Sequence, residues 1–238
     1  MKSQTSFYFQ TLSLVFCFLL TTSIFADVEN RNVGQFDVLH VKGSIDVMIT
    51  QSSDYQVRVE APSDKMGNII TEVENGELVV HIKTPKGKNN WSWKDNMNDV
   101  KVYVSAKSLK GLYLSGSGDV EGSGLTSTIF KVSIAGSGDL DIEVDAHSIE
   151  AKIAGSGDMD IAGSTKNLDV SIAGSGEFDA FDLKTKDCEI QIAGSGDCNV
   201  YVSESLDVRI NGSGNVAYKG NPSNVNKNIR GSGNVDKH

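Results

Sequence analysis

The sequence predicts an all-β fold: a single-chain parallel β-helix (β-solenoid) with coils of about 19 residues. Three observations support this fold class. A Gly-Ser-Gly tripeptide recurs at near-constant spacing, the residues on either side of it alternate between apolar and polar, and helix signals are almost absent from residues 27–238. With 39% hydrophobic and 22% charged residues, the 238-residue chain has the composition of a globular protein.

The tripeptide marks seven coils. Its first glycine lies at positions 116, 136, 155, 174, 194, 212 and 231, so the steps are 20, 19, 19, 20, 18 and 19 residues. A fixed period of this length indicates one supersecondary unit stacked on copies of itself. The corner between strands needs a positive φ that glycine adopts without strain, and we expect the intervening serine to bond to a neighbouring corner.

Two strands are expected to flank each corner, with their apolar residues stacked in columns. Neighbouring coils place equivalent residues about 4.8 Å apart, so each column fills a core that one coil alone could not make. The inward columns before the corner are Leu112, Val132, Ala151, Val170, Ile190 and Val208, and Leu114, Ile134, Ile153, Ile172, Ile192, Ile210 and Ile229. Those after it are Val120, Leu140, Met159, Phe178, Cys198, Val216 and Val235, and Ile142, Ile161, Ala180, Val200 and Tyr218.

The N-terminus predicts a secretory signal peptide over residues 1–26. Lys2 is its only charged residue, an apolar run covers Leu12–Leu20, and cleavage is expected after Ala26. The run is too short to span a bilayer, which needs about 20 residues, so we expect no transmembrane segment in the mature chain. Residues 27–238 are expected to form one β-helix domain, with irregular coils and a cap in 27–110 and regular repeats in 111–238. The expected location is periplasmic, cell-surface or secreted.

Both ends of a solenoid need protection from edge-to-edge pairing. At the C-terminal end, Lys227 and Lys237 fall at inward positions of the last coil, and Pro222 lies in the Asn-rich stretch Asn221–Asn228. Near the N-terminal end, Val41–Val47 resembles a degenerate copy of the repeat. Alternating segments at 56–60, 77–83 and 100–105 predict further strands.

The mature chain would be strongly acidic, with 21 basic and 31 acidic residues. Such a protein repels nucleic acid and anionic lipid surfaces, so neither is expected as a partner. Neighbouring charges about 5 Å apart repel by about 0.8 kcal/mol even in water. We interpret the outward carboxylates as a solvated face, with calcium binding as the alternative. They form two columns: Asp119, Asp139, Asp158, Glu177 and Asp197, and Glu121, Asp141, Asp160, Asp179 and Asn199.

One aromatic and basic cluster stands out, the segment Lys86–Lys94 with Trp91 and Trp93. Exposed aromatic side chains commonly mark binding surfaces, so this segment is a candidate for contact with a sugar or a partner protein. The alternative is that the tryptophans cover the open end of the helix.

No catalytic, cofactor-binding or metal-binding residues are predicted, and no cofactor. His40, His81, His147 and His238 are scattered without a metal-ligand spacing, and a corner serine repeated seven times lacks the uniqueness of a nucleophile. The acidic columns have no nearby arginine except Arg209. The chain is therefore not expected to be an enzyme, because no site assembles.

The two cysteines of the mature chain, Cys188 and Cys198, both fall at inward positions. Buried free cysteines behave as small apolar residues. Only Cys198 lies beside the corner, so the two are expected at opposite ends of a strand pair, which disfavours a disulfide.

The opening Phe36–Val47, the transition Leu109–Asp119 and the later Ile-Ala-Gly-Ser-Gly-Asp turns resemble the bacterial family of the putative auto-transporter adhesin head, or GIN domain. The resemblance covers nearly all of the mature chain and implies an exported β-helical protein of cell-envelope type. The function expected is that of an adhesin-like binding or structural module, with a glycan or an envelope protein as partner. The alternatives are a polysaccharide-active β-helix enzyme and a calcium-stabilised surface scaffold.

Overall fold

The computed structural model describes residues 26–83 and 99–238, which form a parallel β-solenoid of about seven turns with about 19 residues per turn. This confirms the predicted fold class. The elements are β1 (Asp27–Arg31), β2 (Val38–Gly43), β3 (Asp46–Gln51), β4 (Gln56–Ala61), α1 (Ser63–Met66), β5 (Ile69–Glu74), β6 (Glu77–Ile82), β7 (Lys101–Ala106), β8 (Gly111–Gly116), β9 (Val120–Gly136), β10 (Leu140–Gly155), β11 (Met159–Gly174), β12 (Glu177–Gly194), β13 (Asp197–Gly212), β14 (Asn215–Lys219), β15 (Asn224–Gly231) and β16 (Asn234–Lys237).

Each regular coil is one long strand between successive glycine corners, rather than the two strands expected. Strands β9 to β13 contain 16 to 18 residues and pair in parallel with their neighbours. Further bends occur within the pairing, where the register shifts between Ile142 and Val144 and between Asp160 and Gly163. Such irregularities bend a strand without ending it, so the ladder continues around the coil.

The predicted inward columns form the core, and nearly all their members are buried. Fully burying one aliphatic side chain contributes about 1.5–3 kcal/mol, so this burial is the main drive for stacking. Ile229 is the exception, because 37% of its surface is exposed. Strand β15 pairs only with β13 in the described part of the chain, so Ile229 is covered by Ile210 on one side alone.

Lysines end two of the columns at the C-terminal end. Lys227 is the register partner of Val208, and Lys237 is the register partner of Tyr218, as predicted. The Lys227 Nζ donates a hydrogen bond to the Val235 carbonyl oxygen at 2.6 Å. A further coil would have to bury these charges at a cost of several kcal/mol each, so they oppose the addition of another strand.

The corners stack too closely for a side chain at the first glycine. A Cβ at Gly155 would lie 2.1 Å from the carbonyl oxygen of Gly136 in the preceding coil, and the φ of Gly155 is +141°. The backbone N–H of Ser156 donates to that same oxygen at 3.0 Å. The serine therefore bonds to the neighbouring corner as expected, but through its backbone; at the first corner the hydroxyls of Ser44 and Ser117 also lie 2.9 Å apart.

The N-terminal coils stack out of chain order. Strands β2 and β3 form a coil whose Gly43 and Val47 are in register with Gly116 and Val120, which confirms the degenerate repeat. Their other edges pair in parallel with β6 and β7, which come later in the chain. Antiparallel strands then close this end: β5 pairs with β6, β4 with β7, and β1 with β4.

A tight hairpin reverses the chain between β5 and β6. Asn75 and Gly76 have φ values of 52° and 82°, the two positive angles typical of such a turn. The three segments predicted as strands in this region are β4, β6 and β7. Alternation of apolar residues carries no information about strand direction, so the antiparallel pairing of β4 was not predicted.

We expect Gly155→Ala to lower the free energy of unfolding by about 3 kcal/mol or more, because the new methyl group would overlap the Gly136 carbonyl oxygen. Gly124→Ala is the matched control. Gly124 also has a positive φ, of 65°, but nothing lies within 4 Å of its Cβ position, so only about 1–2 kcal/mol of backbone strain is expected. Urea unfolding followed by circular dichroism measures both variants. Equal losses would show that corner stacking is not the limiting constraint.

Candidate functional site

The outward side chains of the regular coils form three surfaces. The acidic surface carries the columns 119, 139, 158, 177, 197 and 121, 141, 160, 179, 199, at and just after the corner. The groove surface consists of residues 145–147, 164–166, 184–186 and 201–203, farther along each coil. The mixed surface carries the columns 131, 150, 169, 189, 207 and 133, 152, 171, 191, 209, which lead to the next corner.

The first acidic column is a ladder of hydrogen bonds. The Asp158 backbone N–H donates to the Asp139 Oδ1 at 3.2 Å, and the Asp158 Oδ1 accepts from the Glu177 N–H at 2.9 Å. The same contact joins the Asp139 N–H to the Asp119 Oδ1 at 3.3 Å, and the Asp119 N–H to the Asp46 Oδ1 at 3.2 Å. Hydrogen bonds to a carboxylate are stronger than neutral ones. This column therefore ties the successive coils together from Asp46 to Glu177.

The second acidic column shows the repulsion that its spacing predicts. Asp141, Asp160 and Asp179 are register partners in successive coils. Burial raises the pKa of Asp160, and the neighbouring carboxylates of Asp179 and Asp141 raise it further. Asn199 follows Asp179 in the column, and its Nδ2 donates to the Asp179 Oδ2 at 3.2 Å. An amide thus replaces the repulsion by a hydrogen bond at the end of the column.

A calcium site requires six to eight oxygen atoms that converge on one point. Within residues 26–83 and 99–238, no group of three or more His, Cys, Asp or Glu side chains is placed to hold a metal ion. In the first acidic column, the carboxylates of Asp119, Asp139 and Asp158 already accept backbone N–H groups of the next coil.

The charges of the mixed surface are largely paired. Arg209, which was expected near the acidic columns, lies instead on this surface, with its Nη1 2.5 Å from the Glu189 Oε1. Lys131 and Lys152 bracket Glu150 at 3.0 and 2.5 Å. The hydrogen bond from Lys152, followed by that from Lys131, lowers the pKa of Glu150. Paired exposed charges of this kind are worth at most about 1 kcal/mol each.

The groove surface contains an open depression of about 510 Å³. Its charged and aromatic members are His147, Lys166, Lys184, Lys186 and Tyr201, and serine, threonine and alanine side chains complete the lining. No acidic side chain lines the depression, although the protein as a whole carries a net charge of −9. Asp145 of the groove surface lies beside it, and its Oδ1 accepts a hydrogen bond from the Ser164 hydroxyl at 2.6 Å. The groove therefore differs in charge from the rest of the solenoid.

Two buried threonines form the floor of the groove. Thr165 and Thr185 are register partners in adjacent coils, and each hydroxyl donates to a nearby backbone carbonyl oxygen. Because successive residues of a strand point to opposite faces, the lysines on either side of them point outward. Lys166, Lys184 and Lys186 are all exposed.

The lysines of the groove differ in their contacts. The Lys186 Nζ lies 2.8 Å from the Glu204 Oε1. Lys166 and Lys184 have no hydrogen-bond or ionic partner among the described residues, and Lys184 is in register with Tyr201 of the next coil. Like charges in neighbouring strands are destabilising, so this cluster is not explained by stability.

The sequence contains a signal for the groove that the prediction did not use. Ser164-Thr165-Lys166 and Lys184-Thr185-Lys186 repeat a Thr-Lys pair one coil apart. Both are polar, so a search for apolar columns and glycine corners passes over them.

The remaining sequence candidates do not form a common site. Trp91 and Trp93 lie outside the described residues. Cys188 and Cys198 are free buried thiols that occupy the predicted columns, and burial raises the pKa of both. The histidines are dispersed: His147 lines the groove and His238 stacks on Phe181 at 5.5 Å. No helix in residues 26–83 or 99–238 has the length and apolar character to cross a bilayer.

The two acidic columns should respond oppositely to substitution. We expect Asp158→Ala to lower the free energy of unfolding by about 1.5 kcal/mol, because the Glu177 N–H loses a charged acceptor. Asp160→Ala is expected to be neutral or to stabilise by about 0.5 kcal/mol at pH 7, because it removes repulsion from Asp141 and Asp179. Urea unfolding of the two variants tests this, and the same sign for both would contradict it.

The effect of Asp160 should also depend on pH. Its raised pKa means that the folded state binds the proton more tightly than the unfolded chain does. The destabilisation caused by the ionised Asp160 carboxylate is complete above its pKa in the folded state. It disappears below its pKa in the unfolded chain, which is about 3.9. The difference in stability between wild type and Asp160→Ala should therefore shrink as the pH falls from 7 to 4. Melting curves across this range measure it, and a difference that grows on acidification would refute the assignment.

Solved structures share this solenoid. A putative adhesin from Bacteroides fragilis superposes with a TM-score of 0.82 at 22% identity, over 90% of this chain and 97% of its own. A putative lipid binding protein from Parabacteroides distasonis gives 0.71 at 26% identity, over 90% and 97%. A putative adhesin from Parabacteroides merdae gives 0.65 at 21% identity, over 90% and 96%.

No curated protein matches the chain. The profile of one family, described as "Putative auto-transporter adhesin, head GIN domain", matches residues 35–222, which run from the start of the β2 coil to the last turn of the solenoid. This protein therefore belongs to the putative auto-transporter adhesin head GIN domain family.

Proposed function

We propose that this protein is an exported, adhesin-like module of the cell envelope that binds its partner through the groove surface. The names of its family and of its structural neighbours support an adhesin-like role. The partner proposed is a glycan or an envelope protein. The solenoid acts as the scaffold that presents the groove.

One observation carries this proposal: the groove combines an open depression with two lysine side chains that have no acidic partner among the described residues. On the acidic surface, carboxylates of the first column accept backbone N–H groups of the next coil. On the mixed surface, the basic side chains are held by Glu150 and Glu189. In the groove, Lys166 and Lys184 have no partner in the described part of the chain, and Tyr201 offers an aromatic face beside them.

The scaffold lowers the cost of binding. Backbone hydrogen bonds hold the strands that carry Ser164, Lys184 and Tyr201 about 4.8 Å apart, so these groups need little ordering when a partner arrives. Hydroxyl, ammonium and aromatic groups together suit the hydroxyls and flat faces of a sugar chain. They suit a polar protein surface by the same contacts.

Export is proposed from the N-terminal sequence. A basic start, the apolar run Leu12–Leu20 and the small residue Ala26 support a signal peptide over residues 1–26. The first strand of the solenoid, β1, begins at Asp27, immediately after the proposed cleavage position. We propose residues 27–238 as the mature β-helix domain, located in the periplasm, on the cell surface or in the medium.

Blocking the groove should abolish binding without unfolding the protein. Ser164→Trp would place an indole in the groove, whereas Ser171→Trp would place the same group on the mixed surface of the same strand, β11. We expect residues 27–238 to bind at least one member of a glycan array, and Ser164→Trp to lose that signal while Ser171→Trp keeps it. Equal binding by both variants, with unchanged melting temperatures, would remove the groove as the site.

Export has its own test. The full chain and a version without residues 2–26 are expressed in a bacterial host, and the cells are fractionated and treated with protease from outside. We expect the full chain in the envelope or the medium, trimmed so that it begins at Asp27. Recovery of the full chain in the cytoplasm with its first 26 residues intact would refute the proposal.

A further inference from the structure

Three side chains at the N-terminal end of the mixed surface form a hydrogen-bonded chain. His40 lies on β2, between β6 and β8. Its Nδ1 is 3.0 Å from the Glu77 Oε1, and its Nε2 is 3.0 Å from the Ser115 Oγ. Glu77, on β6, is 37 residues from His40 in sequence, and Ser115, on β8, is 75 residues away. The stacking of the coils alone brings them together.

The contacts decide which ring nitrogen carries the proton. An ionised carboxylate can only accept hydrogen bonds, so Glu77 selects the tautomer of His40 with the proton on Nδ1. The Nε2 of a neutral ring with that tautomer has only a lone pair to offer. The Ser115 hydroxyl must then donate to Nε2. A serine whose proton points at an imidazole, itself oriented by a carboxylate, has the arrangement that activates a nucleophile.

Ser115 departs from the repeat at this position. The four following coils have alanine in the same column, Ala135, Ala154, Ala173 and Ala193, and the coil before has Lys42. Ser115 is thus distinct from the seven corner serines, whose repetition argues against catalysis. The column also shows that the fold accepts alanine here, so a hydroxyl at 115 is not required by the stacking of the corner.

We propose that Ser115, His40 and Glu77 form a hydrolytic site for short-chain esters. The Ser115 Oγ bonds to the acyl carbon while its proton passes to the His40 Nε2, and the carbonyl electron pair moves onto oxygen. When that intermediate collapses, the His40 Nε2 gives this proton to the leaving oxygen, the alcohol departs, and Ser115 is acylated. His40 then takes a proton from water, the resulting hydroxide attacks the acyl carbon, and the carboxylic acid is released as the Ser115 Oγ recovers a proton from His40.

The neighbours of Ser115 support the charged steps. Lys42 is its direct register partner on β2 and is exposed, so its ammonium group can stabilise negative charge that develops on the acyl oxygen. The Tyr113 and His40 rings lie next to each other in an edge-to-face arrangement, with 6.0 Å between ring centres. Glu77 stabilises the imidazolium that forms when Ser115 gives up its proton, and so acts as a positioning residue.

The surroundings define the substrate class. His40 and Glu77 lie on a sheet surface and their side chains are 23% and 38% exposed, so the site is open rather than enclosed. An open site reaches an ester that projects from a larger molecule, such as an O-acyl group on an oligosaccharide. Small activated esters have the same access and serve as probes.

The protein contains its own controls for the nucleophile. A fluorophosphonate probe, which phosphonylates activated serines with loss of fluoride, is applied to residues 27–238, and the modified peptides are located by mass spectrometry. We expect Ser115 to react about 100-fold faster than the corner serines Ser137 and Ser156, which are exposed and have no histidine contact, because a general base contributes on this scale. Ser115→Ala and His40→Gln should abolish this labelling and the hydrolysis of p-nitrophenyl acetate, whereas Ser133→Ala on the neighbouring strand should change neither.

The role of Glu77 has a readout independent of activity. The ¹⁵N shifts of the His40 ring report which nitrogen is protonated. We expect protonated Nδ1 in wild type, loss of that preference in Glu77→Gln, and its recovery in Glu77→Asp together with part of the esterase rate. Labelling of Ser115 no faster than Ser137, or hydrolysis unchanged in folded Ser115→Ala, would overturn the proposal. Binding of glycans by the groove would be unaffected by either result.

Discussion

The close stacking of the glycine corners is the constraint on which the rest of the structure depends. Each corner lies so near the next that the carbonyl oxygen of one coil occupies the place of a side chain in the following coil. This proximity lets the serine backbone N–H bond from corner to corner. It also holds the long strands at hydrogen-bonding distance, so every residue type that repeats in sequence becomes a continuous column in space. The core, the ladder and the groove are all columns of this kind.

Stacking brings like charges close together wherever they repeat, and the three surfaces reduce the resulting repulsion in different ways. Along the first acidic column, backbone N–H groups of the next coil compensate the carboxylates, as at Asp158. Along the second, burial and proximity leave Asp160 with a raised pKa, and Asn199 ends the repulsion. On the mixed surface, basic residues of the neighbouring column pair with some of the acids, as Arg209 does with Glu189. Only the groove leaves lysines in adjacent coils without a compensating acid for each, which is why it is the candidate for contact with another molecule.

The fold was predictable from the sequence because its signals are local and repeated. The glycine spacing defines the coil, and the alternation around it identifies inward residues such as Ile153 and Phe178 correctly. Ile229 was assigned inward because it matches the pattern, which does not say that the stack ends there. The candidate sites were harder to predict from the sequence. The contact of His40 with Glu77 and Ser115 joins residues far apart in a region without a regular period, and only the order of the coils reveals it.

The out-of-order N-terminal coil has a consequence for how such a protein can change in length. The coil of β2 and β3 is enclosed between β6 and β7 on one side and β8 and β9 on the other. Its neighbours on both sides are contributed by later segments of the chain, so the layers of this block are completed together. Beyond β9 the coils follow one another in chain order, and each needs only the one before it. Gene duplication can therefore lengthen the molecule by whole coils between β9 and β13, while the N-terminal block has to be inherited as a single piece.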